Sequence, residues 1–399
     1  MLLSKKVDIV FIYQRMLPYH VARFKAVFSA FQAQGKTCMA LEVASTDSSY
    51  GDLTHKGMDE VGLASVKRCL FEKTDYLTLS PSQVALSVEQ ALKRLNPSVV
   101  FSPAPAFAEG AGALHYRVKN TVKWILMDDA WGVTDQRSWL TSFVKRQFYR
   151  YVDGGFFPSA MHGDYFAGLN VPKERQRYGV DAVDDYRSIR ENQVASEITG
   201  PYFLFVGRLI EHKGLGVALR AYSSLESDKV KFVIVGDGPN RRLCEALVEK
   251  LQISDHVIWV GRRSNEIARL LMRDALGLIL PSKSETWGLV VNEAWQVGLP
   301  VLGSDTVGAL CATRSPETEW MLVPVGDVDK WQAAMERLLA LSDQQREAIA
   351  ERGRMLAEQH SIRVHAQSAL ELAALPHRRN PFFPIGIAAL LWKGKTAIW

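Results

Sequence analysis

Two glutamates, Glu285 and Glu293, flank a short run whose residue types can hold an anion. The stretch over 275–298 reads Ala-Leu-Gly-Leu-Ile-Leu-Pro-Ser-Lys-Ser-Glu-Thr-Trp-Gly-Leu-Val-Val-Asn-Glu-Ala-Trp-Gln-Val-Gly. Its apolar part, Leu276–Leu280, predicts a buried strand ending at Pro281. Trp287–Gly288 then opens a helix that Gly-Leu-Pro stops at Gly298. Glu285 falls in the turn and Glu293 within the first two helical turns. Both carboxylates can therefore face one crevice beyond the carboxyl end of a parallel strand, where open α/β sheets bind ligands. The backbone N–H groups of Trp287, Gly288, Leu289 and Val290, with the positive helix end, suit a phosphate. Gly288 lacks a side chain and lets a ligand approach the backbone. Ionised Glu only accepts hydrogen bonds, so an anion flanked by two of them makes sense if the ligand also carries hydroxyls, as sugars do.

A second run, Gly207-Arg208-x(4)-Lys213-Gly214, follows the predicted strand Tyr202–Val206 and precedes a helix. Cations between a strand end and a helix start suit phosphate oxygens, and the Arg fork matches them bidentately. Negative charge grows on a phosphate leaving group as the bond to it breaks. Fixed cations and helix N–H groups stabilise that charge, one donor being worth roughly 3 kcal/mol. Such a set can replace a divalent metal, and the sequence offers no cluster of ligands arranged for one. Gly236-Asp237-Gly238-Pro239 is weaker evidence, since many α/β turns look like it.

Taken together, Pro-Ser-x-x-Glu-x-Trp-Gly-Leu-Val-Val-x-Glu-Ala and Gly-Arg-x(4)-Lys-Gly resemble the signature of family-four retaining glycosyltransferases with the GT-B fold, the glycosyl transferases group 1. The resemblance covers nearly all of 196–360. It implies an α/β chain of two Rossmann-like, doubly wound parallel-sheet domains facing a deep cleft. It also implies a nucleotide-diphosphate sugar as donor substrate, with no cofactor. By resemblance Arg208 and Lys213 hold the diphosphate, Glu293 the ribose hydroxyls and Glu285 the transferred sugar. Gly207 joins the donor-binding set, and Arg262, after a neighbouring strand, approaches the base.

Across 1–180 the resemblance rests on the strand pattern and on Asp128-Asp129-Ala130-Trp131, which ends the predicted strand Val122–Met127. In the family this strand commonly ends His-Asp-x-Trp, with the histidine at the reaction centre. Asp128 takes that position here. Two adjacent aspartates at a strand end also suit a turn and helix cap, and both roles stay open. Asp129 and Trp131 are expected at the acceptor. His20 and Arg23, in and after the glycine-free loop Gln14–His20, can bind the acceptor or a phosphate, or be incidental polar residues of a surface loop.

The elements that must position these groups follow from apolar runs. Strands are predicted at Val7–Tyr13, Thr37–Val43, Ser65–Phe71, Val99–Ser102, Val122–Met127 and Gly154–Ser159, the last of the first domain, with helices at Val21–Phe31 and Gln83–Leu95. In the second half Tyr202–Val206, Val230–Val235, His256–Val260 and Leu276–Leu280 alternate with helices, which implies a parallel sheet covered on both faces. The expected domains are 1–180 for the acceptor, a linker at 181–200, 201–360 for the nucleotide sugar, and 361–399 crossing back to the first domain.

At 399 residues, 47% hydrophobic and 23% charged, the chain has the length and composition of a two-domain α/β enzyme. Its four cysteines are scattered and include no Cys-x-x-Cys pair, so neither a zinc site nor a disulfide framework is implied, and a reducing cytoplasm fits. No apolar run spans a bilayer, and the start Met-Leu-Leu-Ser-Lys-Lys is too short for a signal peptide. The net charge of +5 favours anionic partners, and no nucleic-acid recognition motif is present. Arg137–Tyr151 and Pro376–Trp399 are basic, aromatic and free of acids, which suits packing on the sheet or an anionic membrane surface. The expected protein is a retaining, metal-independent hexosyltransferase acting on a glycan or lipid-linked acceptor in cell-surface polysaccharide or glycolipid synthesis. It is expected in the cytoplasm, peripheral at the inner membrane face. A sugar-nucleotide epimerase of the same fold and a non-catalytic sugar-nucleotide-binding scaffold are the alternatives.

Overall fold

β1 (Ile9–Tyr13) is buried at every position, and its alternate residues enter two different cores. Val10 and Ile12 face one, while Ile9, Phe11 and Tyr13 face the other. An apolar run on both faces is what a central parallel strand needs, because helices cover it on each side. The structure, a computed structural model, describes residues 7–48, 62–135, 138–185, 198–226, 229–381 and 383–396. The chain forms two compact units, Met1–Asp184 with Ser361–Trp399, and Asp185–His360.

In the first unit β1 is followed by α1 (Pro18–Ala33), β2 (Cys38–Thr46), β3 (Lys67–Asp75), α2 (Pro81–Leu95), β4 (Val99–Ser102) and α3 (Ala108–Lys119). β5 (Lys123–Met127), α4 (Trp139–Phe148), β6 (Gly154–Phe157), α5 (Ala160–Ala167) and β7 (Gln176–Tyr178) complete it. The strands pair in parallel in the order β3-β2-β1-β4-β5-β6-β7. α2 shows how local signals agree. Ser80 caps it and Gln83 closes the capping box, Pro81 starts it, and Asn96 ends it in the left-handed region. Val84, Val88, Leu92 and Leu95 then fall on one buried face. On the opposite face Phe24, Val27 and Phe31 of α1 cover Phe11, whose ring stacks on Phe101 at 4.2 Å. Each such buried side chain contributes about 1.5–3 kcal/mol.

The second unit runs β8 (Tyr202–Val206), α6 (Leu215–Ser223), β9 (Lys231–Val235), α7 (Arg241–Lys250), β10 (Val257–Gly261), α8 (Asn265–Asp274), β11 (Gly277–Leu280) and α9 (Leu289–Gln296). β12 (Val301–Ser304), α10 (Gly308–Thr313), β13 (Leu322–Val323), α11 (Val328–Leu339) and α12 (Asp343–Gln359) follow. Its parallel sheet has the order β10-β9-β8-β11-β12-β13. Phe203, Phe205, Phe232 and Ile234 pack under α6 and α11, and Leu204, Val233, Leu278 and Leu280 pack under α8 and α9.

The chain then returns to the first unit through α13 (Ile362–Ala374) and α14 (Phe383–Leu391). Ala369 and Leu372 of α13 join the core over α1. A buried ion pair, Arg117 with Asp153 at 3.2 Å, anchors the segment beyond α13. Asp153 also accepts from the N–H groups of Trp124 (2.9 Å) and Arg378 (2.5 Å), and Arg117 donates to the Arg378 carbonyl (3.2 Å). Breaking such a buried pair costs about 3–5 kcal/mol.

Three expectations change here. Gly154–Ser159 is not the last strand of its sheet, because β7 adds an edge beyond it. The helix placed at Trp287–Gly298 starts at Leu289 and ends at Gln296, since Gly288 has φ 97°, outside the helical region. The basic helix placed at 137–151 begins after the cap Ser138, and Arg137 lies outside the described residues.

Candidate active site

Both sheets reverse direction once. In the second unit the chain lays β9 and β10 on one side of β8, then β11, β12 and β13 on the other. The crevice beyond the carboxyl ends of β8 and β11 is therefore the switch point where doubly wound sheets bind ligands. Gly207 and Arg208 leave β8 there, and Pro281 to Glu285 leave β11. The two sequence motifs, about seventy positions apart, are brought to one place by this single reversal.

Backbone contacts fix their relation. Gly214 has φ 67° and caps α6, and a Cβ on it would lie 2.0 Å from the Pro281 carbonyl oxygen. Only glycine allows the helix start to approach the end of β11 so closely. The Lys283 N–H donates to the His212 carbonyl at 2.7 Å. Glu285 is held from its other side by Val307: its N–H donates to the Thr306 carbonyl (3.3 Å), and its own carbonyl accepts from the Gly308 N–H (3.1 Å). Across this frame Lys213 forms an ion pair with Glu285, which also accepts from the Ser282 hydroxyl at 3.3 Å. Burial, with Lys213 next to it, lowers the pKa of His212.

α9 starts just beyond. Its first intrahelical bond is Val291 N–H to Gly288 carbonyl at 2.9 Å, so the N–H groups of Leu289 and Val290 point out of the helix end. The Trp287 indole is buried and donates to Asn292 at 2.9 Å. Glu293, 3% exposed, lies on the second turn and pairs with buried Arg269 of α8 at 2.9 Å. Arg262 follows β10, the edge strand, with β9 between it and β8.

The first unit has its switch between β1 and β4. A cavity of about 280 Å³ opens there, and Tyr13, Arg15, His20, Arg23, Asp47, Pro103, Glu109, Asp128, Asp129, Asp181 and His365 are among its lining residues. Of the residues expected at the acceptor, His20, Arg23 and Asp129 line it, as does Asp128. Trp131 is buried beside His162, ring centroids 6.1 Å apart, and does not line it. Arg23 is buried, donates from Nε to the Ala182 carbonyl (2.7 Å) and pairs with Asp181 at 3.3 Å. Arg15 donates to the Asp47 carbonyl at 3.3 Å, and Tyr76 donates to Glu109 at 2.8 Å.

Burial raises three of these carboxyls. Asp128 is pushed up to about 6, against the pull of Lys145 and with help from Asp129. Asp181 is pushed up to about 7 against Arg23, and Glu109 to about 7 against its bond from Tyr76. Carboxyls that titrate near neutrality can accept or return protons, the capacity general acid–base chemistry uses. Among the described residues no group of three or more His, Cys, Asp or Glu is arranged to hold a metal ion.

Arg269, Glu109, Asp181 and His365 were not found from sequence. Arg269 sits in the apolar stripe Ala268, Leu271, Met272, and a cation there was the available signal for a buried acid partner. Asp181 fell in the stretch taken for linker, and its pairing with Arg23 depends on the return of the chain after β7. His365 arrives from α13, and no local pattern announces it.

Two doubly wound parallel sheets of this kind define the GT-B class of fold. Residues 188–355 match the family described as glycosyl transferases group 1. The chain is 32% identical over 142 residues to the 2-deoxystreptamine glucosyltransferase of Streptomyces kanamyceticus, covering 35% of this chain and 36% of the relative. It is 26% identical over 241 residues to the alpha-monoglucosyldiacylglycerol synthase of Streptococcus pneumoniae, covering 57% and 54%. The crystal structure of Anabaena HepE in complex with UDP-glucose superposes with a TM-score of 0.68 at 15% identity, covering 92% of this chain and 100% of that one. The curated relatives are matched over about a third to a half of their length.

Proposed function

We propose that the protein is a glycosyltransferase that moves a sugar from a nucleoside diphosphate to an acceptor hydroxyl with retention of anomeric configuration. The observation that carries this reading is the convergence of Arg208, Lys213, Glu285 and the α9 helix start at the switch point of the second sheet. Glu285 and Lys213 neutralise one another while the site holds no donor. An entering diphosphate takes over the Lys213 ammonium, and the freed Glu285 carboxylate accepts hydrogen bonds from the sugar hydroxyls. As the bond to the anomeric carbon breaks, charge on the departing diphosphate is met by Arg208, Lys213 and the N–H groups of Leu289 and Val290, with no metal needed. Glu293, oriented by Arg269, accepts from the ribose hydroxyls. Asp128, near neutral pH at the end of β5, accepts a hydrogen bond from the acceptor hydroxyl in the cavity of the first unit.

The UDP-glucose bound to HepE makes UDP-sugars the first donors to try. A thermal-shift series with UDP, GDP, ADP and their sugars tests the donor site, because a ligand that binds only the folded state raises its midpoint. A rise with one base, reduced in Lys213→Ala, is the expected result. No shift with any of them overturns the assignment of the site.

A glycolipid or cell-surface polysaccharide acceptor at a membrane is the setting this reading favours, and the S. pneumoniae relative is named for a glycolipid product. α4 leaves Trp139 80% exposed, with Leu140 and Phe143 also exposed. Neighbouring α14 leaves Ile387 and Leu391 exposed, and Phe148 meets Trp392 at 5.5 Å where the two segments touch. Exposed Arg146, Arg150 and Lys393 lie on the same two segments. Aromatic and aliphatic side chains with cations beside them suit the interface of an anionic bilayer. Among the described residues no helix is long and apolar enough to cross one.

A further inference from the structure

We infer that the cavity of the first unit takes an amine-bearing polyol without anionic groups, and that His365 binds one of its hydroxyls through Nε2. This rests on the reading of that cavity as the acceptor site and names the acceptor's chemical class.

Charge is the first argument. Five carboxyl groups, Asp47, Glu109, Asp128, Asp129 and Asp181, line the cavity against two guanidiniums, Arg15 and Arg23. Both cations are buried: Arg15 donates to the Asp47 carbonyl, and Arg23 donates from Nε to the Ala182 carbonyl and lies 3.3 Å from Asp181, while its Nη2 makes no hydrogen bond among the described residues. An entering phosphate or carboxylate would meet more acids than cations among the lining groups. An ammonium would meet an excess of carboxylate, and polyol hydroxyls would find acceptors.

His365 is the second argument, independent of the acids. Its ring is 2% exposed and lines the cavity. Nδ1 lies 2.9 Å from the Gly179 carbonyl oxygen, which can only accept, so Nδ1 carries the proton. Burial pushes the ring down to about 3, which keeps it neutral. Nε2 is therefore a lone-pair acceptor, and it meets no hydrogen-bond partner among the described residues. A buried acceptor without a donor costs about 1–3 kcal/mol, a cost that a ligand hydroxyl removes. The raised carboxyls agree with the charge argument: an ammonium beside them favours their ionised forms, so binding near pH 6.5 should release protons.

The experiment titrates the full chain with D-glucosamine, D-glucose and D-glucuronate by calorimetry at pH 6.5, in two buffers of different ionisation enthalpy. Glucosamine should bind at least tenfold more tightly than glucose, with a buffer-dependent heat that reports proton release, and glucuronate should bind weakest. His365→Asn retains a donor for Gly179 and removes the Nε2 acceptor, so it should weaken glucosamine binding about five- to tenfold. His365→Gln sets an acceptor near the Nε2 position and should recover much of that loss. Thermal midpoints of both variants separate lost binding from lost folding. Equal affinity for glucose and glucosamine, preference for glucuronate, or no binding of any of the three overturns the proposal. A nucleotide sugar that still raises the thermal midpoint in that case leaves the donor reading standing, and failure of both arms removes the two together.

Discussion

Replacing Glu109 by Gln should stabilise the protein at alkaline pH and do much less at acidic pH. Glu109 is 1% exposed, and burial moves its carboxyl from an ordinary 4.5 to about 7. Below pH 4.5 the folded and unfolded chains both hold the proton and the group is neutral in its effect. Between 4.5 and 7 the unfolded chain releases its proton first, so native stability falls as pH rises. Above 7 the full cost is present, roughly 3 kcal/mol, against about 1 kcal/mol at pH 5. Gln keeps an oxygen that can accept from Tyr76 and does not titrate. Any penalty from burying its amide is the same at both pH values, so the pH dependence is the clean signal. For a unit of this size 1 kcal/mol corresponds to about 2–4 °C. The midpoint of the variant relative to the parent should thus rise by roughly 4–9 °C between pH 5 and pH 8. Scanning calorimetry at the two pH values decides it. A difference that stays constant would mean that Glu109 is not held near neutral pH by burial, and the charge reading of the cavity would lose one of its supports.

Other outcomes follow from the same geometry. Arg208→Ala or Lys213→Ala should lower turnover about a hundredfold or more while weakening nucleoside binding less, since these groups act on charge that grows as the bond breaks; steady-state kinetics with near-normal turnover in both variants would remove that role. Glu293→Gln should weaken donor binding by about tenfold through loss of a charged ribose acceptor, measured by calorimetry, with an unchanged circular dichroism spectrum. Sedimentation with vesicles should show binding to anionic but not neutral lipid, lost at high salt and reduced when Trp139 and Phe143 are replaced by Ser. Equal recovery with both lipids would contradict it.

The residues that meet at the switch of the second unit were legible because they lie close together in sequence. Glu285, Gly288 and Glu293 lie within one turn and one short helix, and Gly207-Arg208 and Lys213-Gly214 within one loop. The central strands were legible too, since Phe11 and Val10 both need burial and leave a continuous apolar run. β7 was not: Gln176, Arg177 and Tyr178 form a three-residue edge strand with no apolar run to mark it. β13 has two residues, and its place is set by pairing with β12. The cavity of the first unit was legible only in part. His20, Arg23, Asp128 and Asp129 sit just after predicted strands, where topology makes a ligand site plausible from sequence. Asp181 and His365 reach it by the return of the chain after β7 and by the crossing of α13, which are tertiary facts. Glu109 was not singled out from sequence, and its burial and the bond from Tyr76 are tertiary facts.

Release of nucleoside diphosphate from a panel of nucleotide sugars, with and without a polyol acceptor, tests the central claim most directly when the anomeric configuration of the product is read by NMR. Release that requires the acceptor, from one donor, with the configuration of the donor retained in the product, is the result expected. Equal release with and without acceptor, or an inverted product, would contradict it.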